Sequence, residues 1–408
     1  MRFVGLLVIL LGCCSGYAPP AWAGHTFTPP GLPPEWGGRS IKPDTGNEAA
    51  SPAHKLGVGM ANALNNGDAQ AAANLVNVRA LAKRVAESMY SDAQQQRAIV
   101  NSYNDRFMQQ VFESYCATLQ RTQGSAKFMR VLMRAGETRA LVRLDIGGEG
   151  VEYLEFLVDR DDSGEYRASD WYVLSRGRLT SESLGAIVRL MNDPDQNLLH
   201  RLFATMSFDV GTVEKLRQIG ALDRQGRYAE SLALMNQLPA ELADSREVLR
   251  LRVADASRAK NKAEYYRTLG ILARKYGDDP SVAMILLDYY AQEKQVDKVQ
   301  AGLTMIENRV GADGLTNTMR SNFCLQTGGY DQGVAYARKA VELEPDLRPA
   351  WEALASGYVL QKNYPQAVAT YRTLQTRFGL TFARQQFESN ASFAPFVQSD
   401  AFKKWLPQ

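Results

Sequence analysis

One acidic segment has residue types and spacing that could bind a metal ion. It reads Asp159-Arg160-Asp161-Asp162-Ser163-Gly164-Glu165, with Asp170 at the twelfth position. Oxygen-bearing side chains at positions one, three and five and a glycine at position six match the ligand spacing of a calcium loop. However, the segment joins two predicted strands, and Asp162-Ser163-Gly164 is common turn material. We expect an ordinary turn here, with calcium binding as the alternative.

A second candidate is the single acid Asp170, which precedes Trp171 and Tyr172 on a predicted strand. On the concave side of a curved sheet such an acid could act in hydrolysis. No histidine or second carboxylate stands at a readable spacing from it, so a structural role is favoured. The chain also lacks a nucleophile elbow, a phosphate-binding glycine loop and a dinucleotide fingerprint. We therefore predict no catalytic residue, no cofactor and no enzyme activity.

Histidines and cysteines add little further chemistry. None of the three histidines lies at metal-ligand spacing from another ligand; they are His25, His54 and His200. We expect Cys116 and Cys324, one in each folded half, to be buried as small apolar side chains. The sequence predicts no metal site.

The first 23 residues are predicted to be an export signal. Arg2 is followed by the short apolar run Val4 to Leu11 and by Ala21-Trp22-Ala23, which fits a cleavage site. Alternatively, Leu10-Leu11-Gly12-Cys13 resembles a bacterial lipobox, in which Cys13 would be lipidated. The protein would then be periplasmic or secreted in the first case, and a membrane-anchored lipoprotein in the second.

The net charge of the chain argues against two classes of partner, nucleic acids and anionic membranes. The chain of 408 residues has 47 basic and 44 acidic residues, a net charge of +3. This near-neutral balance favours neither nucleic acid nor an anionic membrane surface as a partner. Contact with a membrane is expected only through the possible lipid anchor on Cys13.

The region between the signal and the repeats divides into a linker and an α+β domain. Residues 24–53 are rich in proline and glycine and predict an extended linker. Residues 54–193 begin with helical spacing over 55–65, 69–90 and 93–122, after which the hydrophobic period changes to two. Residues 194–211 are predicted to form a connecting helix.

Four segments of the α+β domain alternate as half-buried strands do: Phe128 to Arg134, Arg139 to Ile146, Val151 to Asp159 and Tyr166 to Leu174. Short turns between them predict an antiparallel meander. In the second strand, Ala140, Val142, Leu144 and Ile146 should share one face. The order of helices before a sheet resembles nuclear-transport-factor-like and cystatin-like cone folds, in which helices pack into a curved sheet.

A pattern in the second half of the chain recurs every 34 residues, five times, without an insertion. Its anchor positions are Tyr228, Lys262, Val296, Tyr330 and Tyr364. A fixed period of this length is typical of stacked helix–turn–helix units, each too small to bury its own apolar face. Residues 212–379 are therefore predicted to form an all-α solenoid.

The last repeat carries the residues of a known family. Trp351, Leu354, Ala355, Tyr358, Ala367 and Tyr371 stand at the spacings of the tetratricopeptide repeat, and Pro345 closes the preceding repeat. The chain therefore resembles this family over about 170 residues, although Lys262 and Tyr265 replace its usual aromatic and small residues. The aromatic residues of segment 380–408 are expected to form a C-terminal cap.

The resemblance implies a binding groove lined by the first helix of each pair. Carried over residue by residue, it includes Ala254 and Ser356 together with Arg250, Arg258, Met284, Asp288, Gln292, Asn322, Gln326 and Glu352. These residues lack the lysine and asparagine clamp for a C-terminal carboxylate. The expected function is a cell-envelope adaptor or assembly protein that binds a protein partner. The alternative is an N-terminal domain that binds or hydrolyses a small molecule and is localised by the repeats.

Overall fold

A computed structural model describes residues 51–90, 92–146, 150–185, 210–388 and 393–406. The predicted signal, Cys13, the linker up to residue 50 and the connecting helix up to residue 209 lie outside these ranges. The described residues divide into two compact units, one up to Tyr289 and one from Tyr290 onward.

In the part of the first unit described from residue 51 onward, five helices precede the sheet, where the sequence predicted three. They are α1 Pro52–Asn65, α2 Ala69–Asn74, α3 Val78–Met89, α4 Ala93–Ser102 and α5 Asp105–Thr122. The predicted helices over 69–90 and 93–122 are each interrupted because a new N-cap forms within them. The Asn77 side chain accepts from Ala80 N, and the Asn104 side chain accepts from Phe107 N, each at 3.0 Å. Helix α1 begins at Pro52, within the predicted linker, since Ser51 caps it.

An antiparallel sheet follows the helices, as the sequence predicted. Its strands are β1 Ser125–Arg134, β2 Glu137–Asp145, β3 Val151–Arg160, β4 Tyr166–Val173 and β5 Arg178–Leu179, in the order β1-β2-β3-β4-β5. The short fifth strand was not predicted; it pairs with β4 after a single 3-10 turn. The fold class, α+β followed by an all-helical region, is confirmed.

The domain core lies between the helices and one face of the sheet. Ala140, Val142, Leu144 and Ile146 are buried there, as predicted. The opposite face was expected to be more open, but Arg143 is only 4% exposed and Glu155 only 1%. Glu155 is held by ion pairs from Arg139 at 3.1 Å and Arg134 at 3.3 Å, which is how a carboxylate is usually accommodated in such burial.

The turn between β4 and β5 packs against the helical region of the same unit. Gly177 has a left-handed backbone (φ +66°), and a Cβ atom on it would lie 2.9 Å from the Ser281 Cβ. The neighbouring Arg178 pairs with Glu247, and Arg246 Nη1 lies 2.5 Å from Asp279 Oδ2. Glycine is required here both by the backbone conformation and by the close approach.

The helical region repeats the 34-residue period in its helix boundaries. Its helices are α6 Val210–Arg224, α7 Tyr228–Met235, α8 Ala240–Ala243, α9 Arg246–Arg258, α10 Lys262–Tyr276, α11 Pro280–Gln292, α12 Val296–Val310, α13 Gly314–Gln326, α14 Tyr330–Leu343, α15 Arg348–Leu360 and α16 Tyr364–Phe378. All five anchor residues are the first residue of a helix. The pattern read from the sequence is therefore a pattern of helix starts.

Three helices approach closely at a recurring position, which we call a junction. In the fourth junction, Leu325 of α13 lies between Gly333 of α14 and Gly357 of α15. A Cβ at Gly333 would be 2.5 Å from Leu325 Cδ2, and one at Gly357 would be 3.4 Å from the same atom. The two glycines leave the space that the leucine fills.

The first junction has polar residues at the equivalent positions, three repeats earlier: Asp223 of α6, Ser231 of α7 and Asp255 of α9. Ser231 and Asp255 are fully buried. Among the described residues, neither carboxyl oxygen of Asp255 has a hydrogen bond of good geometry, although Asp223 and Ser231 lie close enough to affect its pKa. Burial, then hydrogen bonding to and repulsion from Asp223, raises the pKa of Asp255 to about 8. A protonated Asp255 can supply the missing donor and share its proton with Asp223.

The C-terminal aromatic residues pack on the last helix pair. Tyr371 of α16 stacks on Trp405 at 5.1 Å between ring centroids, and Phe396 and Phe402 are fully buried beside it. They lie on the short helices α17 Arg384–Glu388, α18 Ala394–Gln398 and α19 Asp400–Trp405. This cluster covers an apolar face that a terminal repeat would otherwise expose.

Replacing Gly333 with alanine should destabilise the second unit. The new Cβ would overlap Leu325 in a filled junction, and overpacking of this kind typically costs about 1–3 kcal/mol. Urea unfolding of Gly333→Ala measures the loss. Gly329→Ala is the matched control, because its Cβ would meet no atom closer than 3.4 Å. Equal stability of the two variants would mean that the junction is not tightly packed.

The Asp255 carboxyl should make stability fall as pH rises. Its folded-state pKa is raised, so its contribution is complete below about pH 4 and is lost as pH rises through about 8. The free energy of unfolding should drop by up to about 1.4 kcal/mol per pH unit within that window. Asp255→Asn removes the ionisation and should flatten the profile in urea titrations between pH 5 and 9. The exposed Asp278→Asn is the control; an unchanged slope in Asp255→Asn would contradict the assignment.

Candidate binding surface on the helical repeats

A stripe of accessible side chains runs along α11. Met284 and Asp288 are half-buried and Gln292 is exposed. Their spacing of four residues puts them on the same face of one helix, a turn apart. These are three of the residues that the sequence assigned to the groove, and all three are open enough to contact another molecule.

Asp288 is the chemically distinctive member of the stripe. Its Oδ2 lies 3.4 Å from the hydroxyl of Tyr266 on α10, and the Tyr265 hydroxyl also donates to this carboxylate. Burial raises the pKa of Asp288, while the two hydroxyls and the charge of Lys262 act in the opposite direction. The pKa of Tyr266 is raised to about 12, mainly by burial and further by the negative charge of Asp288. Asp288 is therefore a partly desolvated acid in an aromatic recess.

The repeat pattern predicted Asp288 as a groove residue but did not indicate either tyrosine of the recess. They lie at the start of the second helix of their pair, whereas the family resemblance assigns the groove to first helices. One signal was present: Tyr265 stands where a small residue is usual. The tyrosine is too large for the space that a small residue fills. Its ring packs on the core of the first repeats, and its hydroxyl reaches Asp288.

The predicted groove residues of α9 have different surroundings. Arg258 is half-buried, with its guanidinium 5.3 Å from the Tyr228 ring centroid and its Nη1 3.8 Å from Asp223 Oδ1. Arg250 is half-buried as well. Ala254, which was expected to line the groove, is only 3% exposed. The Arg258 guanidinium therefore interacts with Asp223 of the first junction, and Ala254 is a core residue.

The second unit places its predicted groove residues on α13 and α15. Asn322 and Gln326 are half-buried at successive turns of α13, as is Ser356 on α15. Within the described ranges, the side chains of Asn322 and Gln326 make no hydrogen bond. Glu352 is exposed and pairs with Arg348 at 3.2 Å on the same helix. The two amides are thus free to bind a peptide backbone.

A shallow surface depression of about 500 Å³ lies between α6 and α7. Its lining includes the apolar residues Leu222 and Leu234 and the amides Gln218 and Gln237. Arg227 and Glu230, which also line it, pair with each other. The polar groups do not converge on one point, as they do in ligand sites.

Asp170, the candidate acid of the N-terminal domain, already accepts hydrogen bonds from neighbouring residues of the same domain. Asp170 accepts hydrogen bonds from Trp171 N at 2.8 Å, from Ser181 N at 3.1 Å and from Ser181 Oγ at 2.5 Å. Burial raises its pKa, and these donors oppose the rise. Trp171 is fully buried between Phe112 and Phe156, at 5.7 and 5.8 Å between ring centroids. The sheet face at Trp171 is thus filled by aromatic rings.

The acidic segment that resembles a calcium loop forms a turn. Asp161 Oδ1 accepts from Ser163 N at 2.9 Å and from Glu165 N at 3.0 Å, and Asp161 Oδ2 pairs with Arg167 at 3.2 Å. The Ser163 hydroxyl, which also donates to Asp161 Oδ1, has the largest effect among the donors that hold the pKa of Asp161 below its usual value. Asp159 instead accepts from Ser169. The carboxylates point to different partners and do not surround a common centre.

Other sequence expectations concern metals, cysteines and membranes. No group of three or more histidine, cysteine or acidic residues converges on one point within the described ranges. Cys116 and Cys324 are free and buried, as predicted. None of the described helices combines the length and apolar character that crossing a bilayer requires.

Comparison with known proteins adds no family name. No protein-family model matches the chain, and no curated protein matches it. A stack of helix pairs that carries a half-buried polar stripe is therefore the description that the chain's own residues support.

Proposed function

We propose that this protein is a non-enzymatic adaptor of the bacterial cell envelope that binds a segment of a partner protein on its helical repeats. The observation that carries the proposal is the stripe Met284, Asp288 and Gln292 on a helix that begins in register with the 34-residue period. Surfaces of this kind are how helical repeats usually bind other proteins. The resemblance to tetratricopeptide repeats supports the same proposal.

The chemistry of the accessible residues suits an extended or helical polypeptide. Amides such as Asn322 can donate to and accept from a peptide backbone, and Met284 can adapt to varied apolar side chains. None of these groups is arranged as a nucleophile and base. The export signal predicted for residues 1–23 would place this binding in the periplasm, or at a membrane if Cys13 is lipidated.

A small-molecule function of the N-terminal domain has less support. It would need space near Asp170 and Trp171, where aromatic rings and Ser181 already occupy the contacts. The second face of the sheet, where Arg143 and Glu155 are buried, favours a structural role for this domain.

Replacing Asp288 with asparagine and Asn322 with alanine together should weaken partner binding about 10- to 100-fold without lowering the melting temperature. Asparagine keeps the acceptor for Tyr266 and removes a charge that burial disfavours, so stability should be retained. Binding is measured by photo-crosslinking from a probe at Gln292 of the whole exported chain in its own envelope. Mass spectrometry then identifies the crosslinked peptides.

The control variant is Asp297→Asn, which removes an exposed charge from the first turn of α12. It should crosslink as the unaltered chain does. A melting temperature lowered in the double variant would show that the two positions are structural. Unchanged crosslinking in the double variant would show that the partner binds elsewhere.

A further inference from the structure

We propose that Asp288, together with Tyr265 and Tyr266, binds one basic side chain, lysine or arginine, of the partner segment. This inference rests on the proposed function and specifies its partner. It is carried by the contrast between Asp288 and the other partly buried acids of the same helices, and by the shape of the recess around it.

Neighbouring acids on the repeats of the first unit have cationic partners. Glu264 is 2.7 Å from Arg252 and from Arg267, and Asp244 is 2.8 Å from Lys275. Asp279 pairs with Arg246. Asp288 makes no ion pair within 4 Å among the described residues. Its charge is therefore left for another molecule to neutralise.

The nearest basic residue does not neutralise Asp288 directly. Lys262 attracts the carboxylate, but its Nζ lies over the Tyr266 ring, 5.9 Å from the centroid. The carboxylate is held by tyrosine hydroxyls, which are neutral donors. A guanidinium or ammonium group from a partner would be a stronger donor to the same oxygens. Because the site is partly shielded from water, the attraction would exceed that of an exposed pair.

The walls of the recess also suit a cationic side chain. The rings of Tyr265 and Tyr266 lie 5.2 Å apart between centroids and nearly perpendicular to each other, and both hydroxyls are directed to the Asp288 carboxylate. Ring faces attract cations. Met284, one helical turn away, offers a flexible apolar surface for the methylene stem that lysine and arginine both carry. An acid in this setting repels phosphate groups, which sets the site apart from nucleic-acid and lipid-phosphate surfaces.

Peptide selection on the whole exported chain tests the inference. Random dodecamers displayed on phage are enriched on the unaltered protein, and the strongest binder is synthesised with a fluorescent label. Peptides in which one lysine is replaced by acetyl-lysine or one arginine by citrulline are then compared, and the one that weakens binding most serves as the second peptide. Fluorescence anisotropy then gives four affinities, for two peptides against the unaltered chain and Asp288→Asn.

We expect neutralisation of the peptide's basic residue to lower its affinity only when Asp288 is present. Neutralising one basic residue should weaken binding to the unaltered chain about tenfold, as loss of a partly shielded charge pair does. The same change should have no effect on Asp288→Asn, whose affinity for both peptides should equal the weaker value. Asp297→Asn should behave as the unaltered chain. Tyr266→Phe keeps the ring but loses the hydroxyl, so it should retain the preference for the charged peptide.

Two failures are distinguishable. If peptides lose affinity in the Asp288→Asn, Asn322→Ala double variant but charge neutralisation is not coupled to Asp288, this inference is overturned and the proposed function survives. If no displayed peptide binds, or bound peptides are indifferent to that double variant, the proposed function fails and the inference falls with it.

Discussion

The helical half of this protein depends on the close approach of three helices, which is clearest at the fourth junction. A single helix pair is too small to bury its own apolar face, so its stability comes from the next pair along the chain. At the fourth junction this is achieved by two glycines that leave room for Leu325. The residues that meet at this junction recur 34 residues apart along the chain, so the same three positions can be compared between repeats.

Much of the architecture could be predicted because it leaves a periodic trace in the sequence. The switch from a period of 3.6 to a period of two located the sheet, and the recurring anchors located helix starts. The breaks at Asn77 and Asn104 could not be located in this way. There a single side chain caps a new helix inside a run whose hydrophobic spacing continues. The strand at Arg178 and Leu179 is too short to show a period at all.

The candidate site was predictable only in part, for a related reason. Asp288 could be placed because its position on a first helix follows from the repeat. The recess depends on which residues of the preceding helix reach it, and that is a matter of tertiary contact. Tyr265 stands at the position that holds Ser231 in the first repeat and Gly333 in the fourth. Tyr265 weakens the resemblance to the family at this repeat. The same residue forms one side of the recess around Asp288.

The polar first junction has a consequence for how the stack opens. Equivalent junctions along the chain hold Asp-Ser-Asp in the first repeat and Leu-Gly-Gly in the fourth, so adjacent helix pairs are not held together with equal strength. Repeat proteins open by fraying between neighbours, and each interface contributes its own term. Amide protons near Asp255 should therefore exchange through smaller, more frequent openings than those near Leu325, and more so in alkaline solution.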